Sequence, residues 1–382
     1  MRFIHTSDWH LGRIFHGTHL THDQSHVLEQ FVELVKEAKP DAVVIAGDIY
    51  DRAVPPTEAV ELLDDVLSKI LLDYKTPIIM IAGNHDSPER LGFGNKLLAK
   101  QGLHVIGSLQ QLDAVVLHDK SGPVHFVPLT YAEPALVRDR MRIEASDHDQ
   151  ALQAMVSHTL AKISGDTRKV AIAHAFIAGG SESESERPLS VGGSCMVNSS
   201  IFKPFNYTAL GHLHNSQQAG GANIRYSGSL LKYSFAESNQ RKGINVVELN
   251  ELGEVNIDMI SLSPKRDVRC LDGYFKDLLQ GPQSGASMDD YIMVTLRDTE
   301  PVLDARGQLE AIYPNILHIE RPNLNAGGNL QGPSADHRRL TEKELFAAFF
   351  GQMTGQELSK EQEEHFITVV DELYRAQREV KV

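Results

Sequence analysis

The sequence predicts an α/β protein: a large first domain, a small α+β second domain and a helical tail. Three observations carry that reading. From Met1 to about Leu262, short apolar runs alternate with amphipathic segments, the pattern of strands packed under helices. After SLSPKRDVRCLDGYF the order restarts with strand-like YIMVTLRD, helix-like LDARGQLEAIYP and strand-like ILHIER, which places a second unit near residues 265–322. Beyond it lie two further apolar stripes at helical spacing, LFAAFFGQM and HFITVVDELY.

The elements follow in order. RFIHT, DAVVIA and PIIMIA are short, apolar and bounded by polar residues, so each reads as a strand. Between them THDQSHVLEQFVELVKEA and TEAVELLDDVLSKILLDY read as helices, the second opened by Thr57 behind a Pro pair, with Glu58 in its first turn. In that helix Val60, Leu63, Val66, Leu67 and Ile70 form one stripe, and Leu62, Leu71 and Leu72 widen it. Deep burial, rather than a dimer face, is the expected reason for such breadth. The stretch PNLNAGGNLQGPSADHRR gathers Gly, Asn and Pro as a linker does, over residues 323–340, and the tail occupies residues 341–382. GGSESESER is the low-complexity segment and reads as a surface loop.

Length and composition bound what this fold can serve. A chain of 382 residues makes two or three globular units. Its first residues form neither a signal peptide nor an anchor, and no apolar stretch is long enough to span a bilayer. Cys195 and Cys270 stand alone, without CxxC or zinc-finger spacing, which argues for a reducing compartment, and a cytoplasmic location is expected. The net charge of -14 counts against a polyanionic partner, yet part of it lies in SESESE and SKEQEE, and bound metal or a basic partner would neutralise more.

Five polar fragments stand directly at predicted strand ends: SDWH, GDIYD, GNHD, AHAF and GHLH. Strand ends are where open α/β folds bind ligands. Each fragment offers Asp, Asn or His and none a thiolate, a donor set for Mn, Mg, Fe or Zn. Any one alone is ordinary, since a strand-end His usually satisfies a hydrogen bond and a lone Gly-Asp usually turns the chain. Together Asp8, His10, Asp48, Asn84, His174, His212 and His214 are seven candidate ligands for two metals.

The series Asp8-x-His10, Gly47-Asp48-x-x-Asp51-Arg52, Gly83-Asn84-His85-Asp86, His174 and Gly211-His212-x-His214 resembles the five motifs of the calcineurin-like metallophosphoesterases. The segments HTSDWHLG, GDIYDRAVPP and AGNHDSPERL narrow the resemblance to the bacterial SbcD, Mre11-like nucleases, over nearly the whole chain. That resemblance implies a two-sheet sandwich flanked by helices over residues 1–264, a DNA-contacting capping domain over 265–322 and an ATPase-binding tail. It implies two divalent metal ions, Mn2+ or Mg2+, one held by Asp8, His10, Asp48 and His214 and the other by Asp48, Asn84, His174 and His212, with Asp48 bridging. The implied activity is phosphodiester hydrolysis by a metal-activated water, as an exonuclease on duplex ends and an endonuclease on single strands and hairpins. The implied partners are duplex and hairpin DNA, the Rad50-like ATPase SbcC gripped by the C-terminal helices, and a second copy of the chain through TEAVELLDDVLSKI and ERLGFGNKLLAK.

Two further roles come with the resemblance. His85 would assist the leaving sugar oxygen, and the carboxylate of Asp51 would orient it. Archaeal and eukaryotic relatives carry His where this chain has Asp51, so a mechanism needing a second histidine there does not transfer. Arg13, His16 and Arg90 follow metal motifs and are candidates for the DNA backbone, although surface ion pairs would use the arginines equally well. His16, His19, His22 and His26 have helical spacings that imitate a metal site, and a solvated cluster is the expected outcome. A generic phosphodiesterase would not need the linker and tail, and a silent ATPase adaptor would not need the ligand set.

Overall fold

The computed structural model describes residues 1–186, 189, 195–282, 286–323, 346–347, 350–351 and 358–379. Nearly all of the expected linker and much of the first tail helix lie outside the described residues. The chain divides into two compact units, Met1–Cys270 with Asp289–Ile292, and Leu271–Met288 with Met293–Val382. The second unit therefore begins a few residues later than the expected boundary at 265, and a short piece of the later chain returns to the first.

The first unit is built on two six-stranded sheets. One runs in the order Val255–Ser261, Gly243–Leu249, Arg2–Thr6, Ala42–Ala46, Ile78–Ile81, Leu103–Ile106. The other runs Gln217–Gln218, Ile224–Tyr226, Tyr207–Gly211, Arg168–His174, Gly122–Leu129, Val115–Asp119. Alternate residues of both sheets, among them Phe3, Val44, Ile79, Phe126, Ile172, Ala209 and Val247, form one buried cluster, as the period of two along a strand requires. On the other face of the second sheet, Val127, Leu129, Ala171 and Ala173 join Leu152, Met155 and Val156 of the helix His148–Leu160. Because both faces are covered, these strands read as nearly unbroken apolar runs.

The helix Thr21–Ala38 has the predicted bounds and buries Val27, Leu28, Phe31 and Val35. It ends where Lys39 turns left-handed, at φ 45°. The helix Thr57–Ser68 continues as a π-helical turn, Lys69–Asp73. Its wide apolar stripe is not deeply buried, contrary to expectation: Ala59, Leu63, Val66 and Ile70 take the core, whereas Val60 is 44% and Leu72 54% exposed. The helix has two apolar faces, and among the described residues only one is buried.

The second unit carries a three-stranded sheet in the order Val268–Gly273, Tyr291–Leu296, Ile316–Glu320, whose first two strands start in the first unit. Phe275, Val294, Leu296, Ala305, Leu309, Tyr313 and Ile316 are among its buried residues, Ala305 and Leu309 coming from the helix Ala305–Glu310. The tail helix Lys360–Glu379 forms as expected, and the ring of Phe366 stacks on Phe346 with centroids 3.9 Å apart.

Candidate metal centre

The sheets deliver the five fragments to one edge. Arg2–Thr6, Ala42–Ala46 and Ile78–Ile81 are mutually parallel neighbours, as are Arg168–His174 and Tyr207–Gly211, so their C-terminal ends coincide. The first two loops then zip together: Asp8 N donates to Gly47 O at 3.0 Å, His10 N to Asp48 O at 3.0 Å and Leu11 N to Ile49 O at 2.9 Å. Asp86 ties in the third loop, its carboxylate accepting from the backbone N–H of Ile49, Tyr50 and Gly83 at 3.1, 3.0 and 2.9 Å. Glycine is obligatory at two contacts. A Cβ on Gly83 would stand 2.2 Å from Asp48 Oδ1, and one on Gly47, at φ +91°, would stand 2.5 Å from His174 Nδ1.

Six of the seven ligand candidates are buried, and Asn84 lines the same site half-buried. One ligand atom each from Asp8, His10 and His214, and likewise from Asp8, Asp48 and His174, lies within 4.8 Å of the others in its group. Asp8 is common to both groups, and Asp48 of the second reaches the first as well, its Oδ2 lying 3.4 Å from His174 Nε2 and 3.6 Å from His10 Nε2. His174 Nε2 is also 2.9 Å from Asn84 Oδ1, while its Nδ1 meets Ala46 O at 2.9 Å. Asp8, His10, Asp48 and His212 all have positive φ, at 53°, 46°, 51° and 107°. That conformation costs of order 1–3 kcal/mol per residue, and active sites are where such cost is concentrated.

The charges are correspondingly unsettled. Burial pushes Asp8 up to about 6, helped by the Asp48 charge and opposed by His174 and His214. Burial also pushes Asp48 up, but the imidazoles of His174, His10 and His85 outweigh it and hold this carboxyl well below its ordinary range. His174 is the counterpart: burial lowers it, the Asp48 carboxylate prevails, and it rises to about 9. Burial takes His10 and His212 well below the usual histidine value, which leaves both rings neutral with a lone pair to offer.

These residues fit divalent cations. His212 Nε2 is buried without any hydrogen-bond partner, a costly condition for a polar nitrogen inside a protein. The donors are carboxylate, amide and imidazole, all hard or borderline. The second atom of His174 is fixed on a backbone carbonyl, as ligating histidines require. Asp8, His10, Asp48 and His214 would hold one ion and Asp48, Asn84, His174 and His212 the other.

His85 lies beside this cluster, its ring 4.7 Å from that of His10 and its backbone N–H on Asp48 Oδ1 at 2.9 Å. The expected bond from the Asp51 carboxylate to His85 is not formed. Asp51 holds His85 through its main chain, the carbonyl accepting from Nδ1 at 2.8 Å, and its carboxylate pairs with Arg13 at 2.7 Å. Arg13 is further held over the Tyr233 ring, 5.5 Å from its centroid. His16 is exposed and lies against Phe15 and Phe235, and Arg90 sits on the short helix Pro88–Leu91. Among the described residues no metal-sized group includes His16, His19, His22 or His26.

Several residues of the site were not foreseen. Gln24 donates to the carbonyls of Trp9 and His10 at 3.2 and 2.7 Å and accepts from Gly12 N at 3.1 Å, fixing the first metal loop from the helix Thr21–Ala38. Its signal was a polar residue beside the buried face of an amphipathic helix. Ser185, Glu186, Glu237 and Lys242 surround His214, and nothing in their spacing announces it.

The fold and the cluster together define a phosphoesterase. Residues 1–216 match the model of the calcineurin-like phosphoesterases, and the chain belongs to that family. Residues 264–354 match a second model, described as the type 5 capsule protein repressor C-terminal domain. Within the family the chain falls in the SbcD branch: it is 33% identical over 363 residues to the SbcD subunit of the nuclease SbcCD from Staphylococcus epidermidis, covering 95% of this chain and 96% of that one. The SbcD protein of Staphylococcus saprophyticus is 33% identical over 365 residues, with the same coverage. Among solved structures, a dimetal phosphatase from Danio rerio aligns over 69% of this chain and 99% of its own, at 13% identity and a TM-score of 0.39.

Proposed function

We propose that this protein is the nuclease subunit of an SbcC–SbcD complex, a metal-dependent DNA exonuclease and endonuclease that processes DNA ends. The observation that carries the reading is the convergence of five strand-end motifs on one buried cluster, in a chain similar along 95% of its length to SbcD subunits of the SbcCD nuclease.

Two cations held by these residues would supply Lewis acidity toward phosphoryl oxygens and an activated water. Manganese suits the mixed imidazole and carboxylate donors better than magnesium, which prefers oxygen alone. Asp48 holds the two halves of the site together and orients the His85 backbone. His85, whose Nδ1–H is committed to the Asp51 carbonyl, would pass a proton to the leaving oxygen from Nε2 in its doubly protonated imidazolium form. Arg13, His16 and Arg90 are the residues we assign to the DNA backbone, with Arg13 partly neutralised by Asp51.

Residues 265–322 act as the capping domain and 323–340 as linker. The helices of residues 341–382 grip the root of the SbcC coiled coil, and the exposed Ile367 and Val369 of the helix Lys360–Glu379 support that role. A homodimer is supported by the unused apolar face of the helix Thr57–Ser68. It borders a cavity of about 620 Å³ lined by Leu67, Leu71, Leu72, Leu91, Phe93 and Leu98. A cytoplasmic location agrees with two free cysteines and with the lack of any helix, among the described residues, long and apolar enough to cross a membrane.

The test is Mn2+-dependent cleavage of end-labelled duplex and hairpin DNA, with a chromogenic phosphodiester alongside and SbcC added in a parallel series. DNA cleavage supports the reading. Hydrolysis of the small ester alone, unchanged by SbcC, replaces it with a small-substrate phosphodiesterase.

A further inference from the structure

The loop that reads as a plain acidic surface segment reaches the metal cluster. Ser185 Oγ is 2.6 Å from His214 Nδ1 and donates its proton to Glu237 Oε1. Glu237 is completely buried and its other oxygen accepts from Lys242 Nζ at 2.5 Å. Lys242 Nζ returns to the same histidine, donating to the His214 carbonyl at 2.7 Å. The backbone N–H of His214 donates to Glu186 Oε1 at 2.8 Å, and Glu186 is itself held by Ser183 Oγ at 2.6 Å. Every polar handle of His214 other than Nε2 is thus taken: its N–H, its carbonyl and Nδ1.

The direction of these bonds is consistent with one state only. Nε2 of His214 faces His10 Nε2 at 3.1 Å and is the nitrogen available to a cation. Nδ1 then carries the proton and donates to Ser185 Oγ, whose hydroxyl passes the polarisation to the Glu237 carboxylate. Glu237 Oε1 lies 3.5 Å from Nδ1, too far for a direct bond, so the serine is the bridge. A carboxylate behind a ligating imidazole fixes its tautomer and raises its basicity.

Building on the metal-centre reading, we infer that Ser185 and Glu237 are positioning residues for the ion at Asp8, His10 and His214, so that one of the two metals depends on the Ser183–Glu186 segment while the other does not. His174, the ligand of the other ion, leans on the Ala46 carbonyl within the sheet and makes no use of this segment. The two sites are therefore unequal in how they are supported.

The experiment is a calorimetric titration of metal-free full-length protein with Mn2+, repeated with Co2+ while its visible absorption is recorded. Wild type is expected to bind two ions. Ser185→Ala is expected to bind one ion as wild type does and the second about 10–100-fold more weakly, with an altered Co2+ spectrum for that ion alone. Ser185→Thr keeps the hydroxyl and is expected to restore both. Ser185 is half-exposed on a loop, so the substitution spares the core, and an unchanged circular dichroism spectrum and melting curve verify that. Two wild-type affinities in Ser185→Ala would overturn the inference, as would equal weakening of both ions. A wild type that binds no ion would overturn the metal-centre reading, and this inference with it.

Discussion

Nε2 of His10 and Nε2 of His214 stand 3.1 Å apart, although 204 positions separate the two buried residues in the chain. Two ring N–H groups would collide at that distance, so at least one lone pair faces the gap, and burial already keeps His10 neutral. Without a metal one ring can donate to the other across that gap; with both rings in the tautomer that leaves Nε2 bare, the same gap would suit a shared cation.

Asp48 lies against both halves of the cluster. Asp48→Asn removes the charge that both halves share, so metal analysis should find both ions lost and DNA cleavage should fall about 10³-fold or more, equivalent to several kcal/mol of charge stabilisation. Two ions retained at wild-type affinity would show that the assignment of Asp48 is wrong.

His85 and Asp51 should separate in single-turnover kinetics. His85→Ala is expected to slow cleavage roughly 10²–10⁴-fold with metal content unchanged, the range for losing a general acid. Asp51→Asn leaves the carbonyl on His85 intact and frees Arg13, so its effect should be under about tenfold and should appear in the salt dependence of DNA binding. A larger loss for Asp51→Asn than for His85→Ala would reverse the roles.

Metal affinity should rise with pH. A cation must displace the proton of Asp8, raised to about 6, and that of His174, raised to about 9, whereas Asp48 is already ionised. Both raised groups favour their protonated forms in the metal-free fold, so the stability they give it is present below their unfolded values and is lost as pH climbs through about 6 and then about 9. The increase in melting temperature on adding Mn2+ should therefore grow from pH 6 to pH 9. A flat or falling profile would mean that neither proton is exchanged for the metal.

Phe93, which lines the cavity that borders the helix Thr57–Ser68, is 85% exposed, and Leu97, next to the lining residue Leu98 in the chain, is 74% exposed. Sedimentation velocity should show a dimer for the wild type and a monomer for Phe93→Glu, with cleavage of a small phosphodiester retained. A wild-type monomer at micromolar concentration would leave that apolar face to a different protein.

The gathering of the candidate ligands at one place was legible because each is local to a strand end: Asp8 and His10 need only RFIHT ahead of them, and Asn84 only PIIMIA. The hydrogen bonds around His214 were not legible, since Ser185, His214 and Glu237 meet only through tertiary folding, and a Ser-Glu run has the composition of solvated chain. Asp51 shows a subtler limit. Its spacing from Asp48 marked it as special, but sequence does not reveal whether a residue acts through its carboxylate or its carbonyl. The broad stripe of TEAVELLDDVLSKILLDY was visible as apolar, and its periodicity carried no record of which side meets the core.

The return of Asp289–Ile292 to the first unit bears on any attempt to divide the protein. Tyr291 donates its hydroxyl to the buried Asp23 at 2.9 Å, beside Arg266 at 3.2 Å, and Asp290 pairs with Arg269 at 2.6 Å. A fragment stopping at Cys270 forfeits both partners and leaves the Asp23 carboxylate short of a donor, a loss of roughly 1–3 kcal/mol. Asp23 precedes Gln24, whose amide fixes the carbonyl of His10. The larger unit of this molecule is thus not a contiguous stretch of sequence: it is finished only by residues that the chain supplies after it has left and come back.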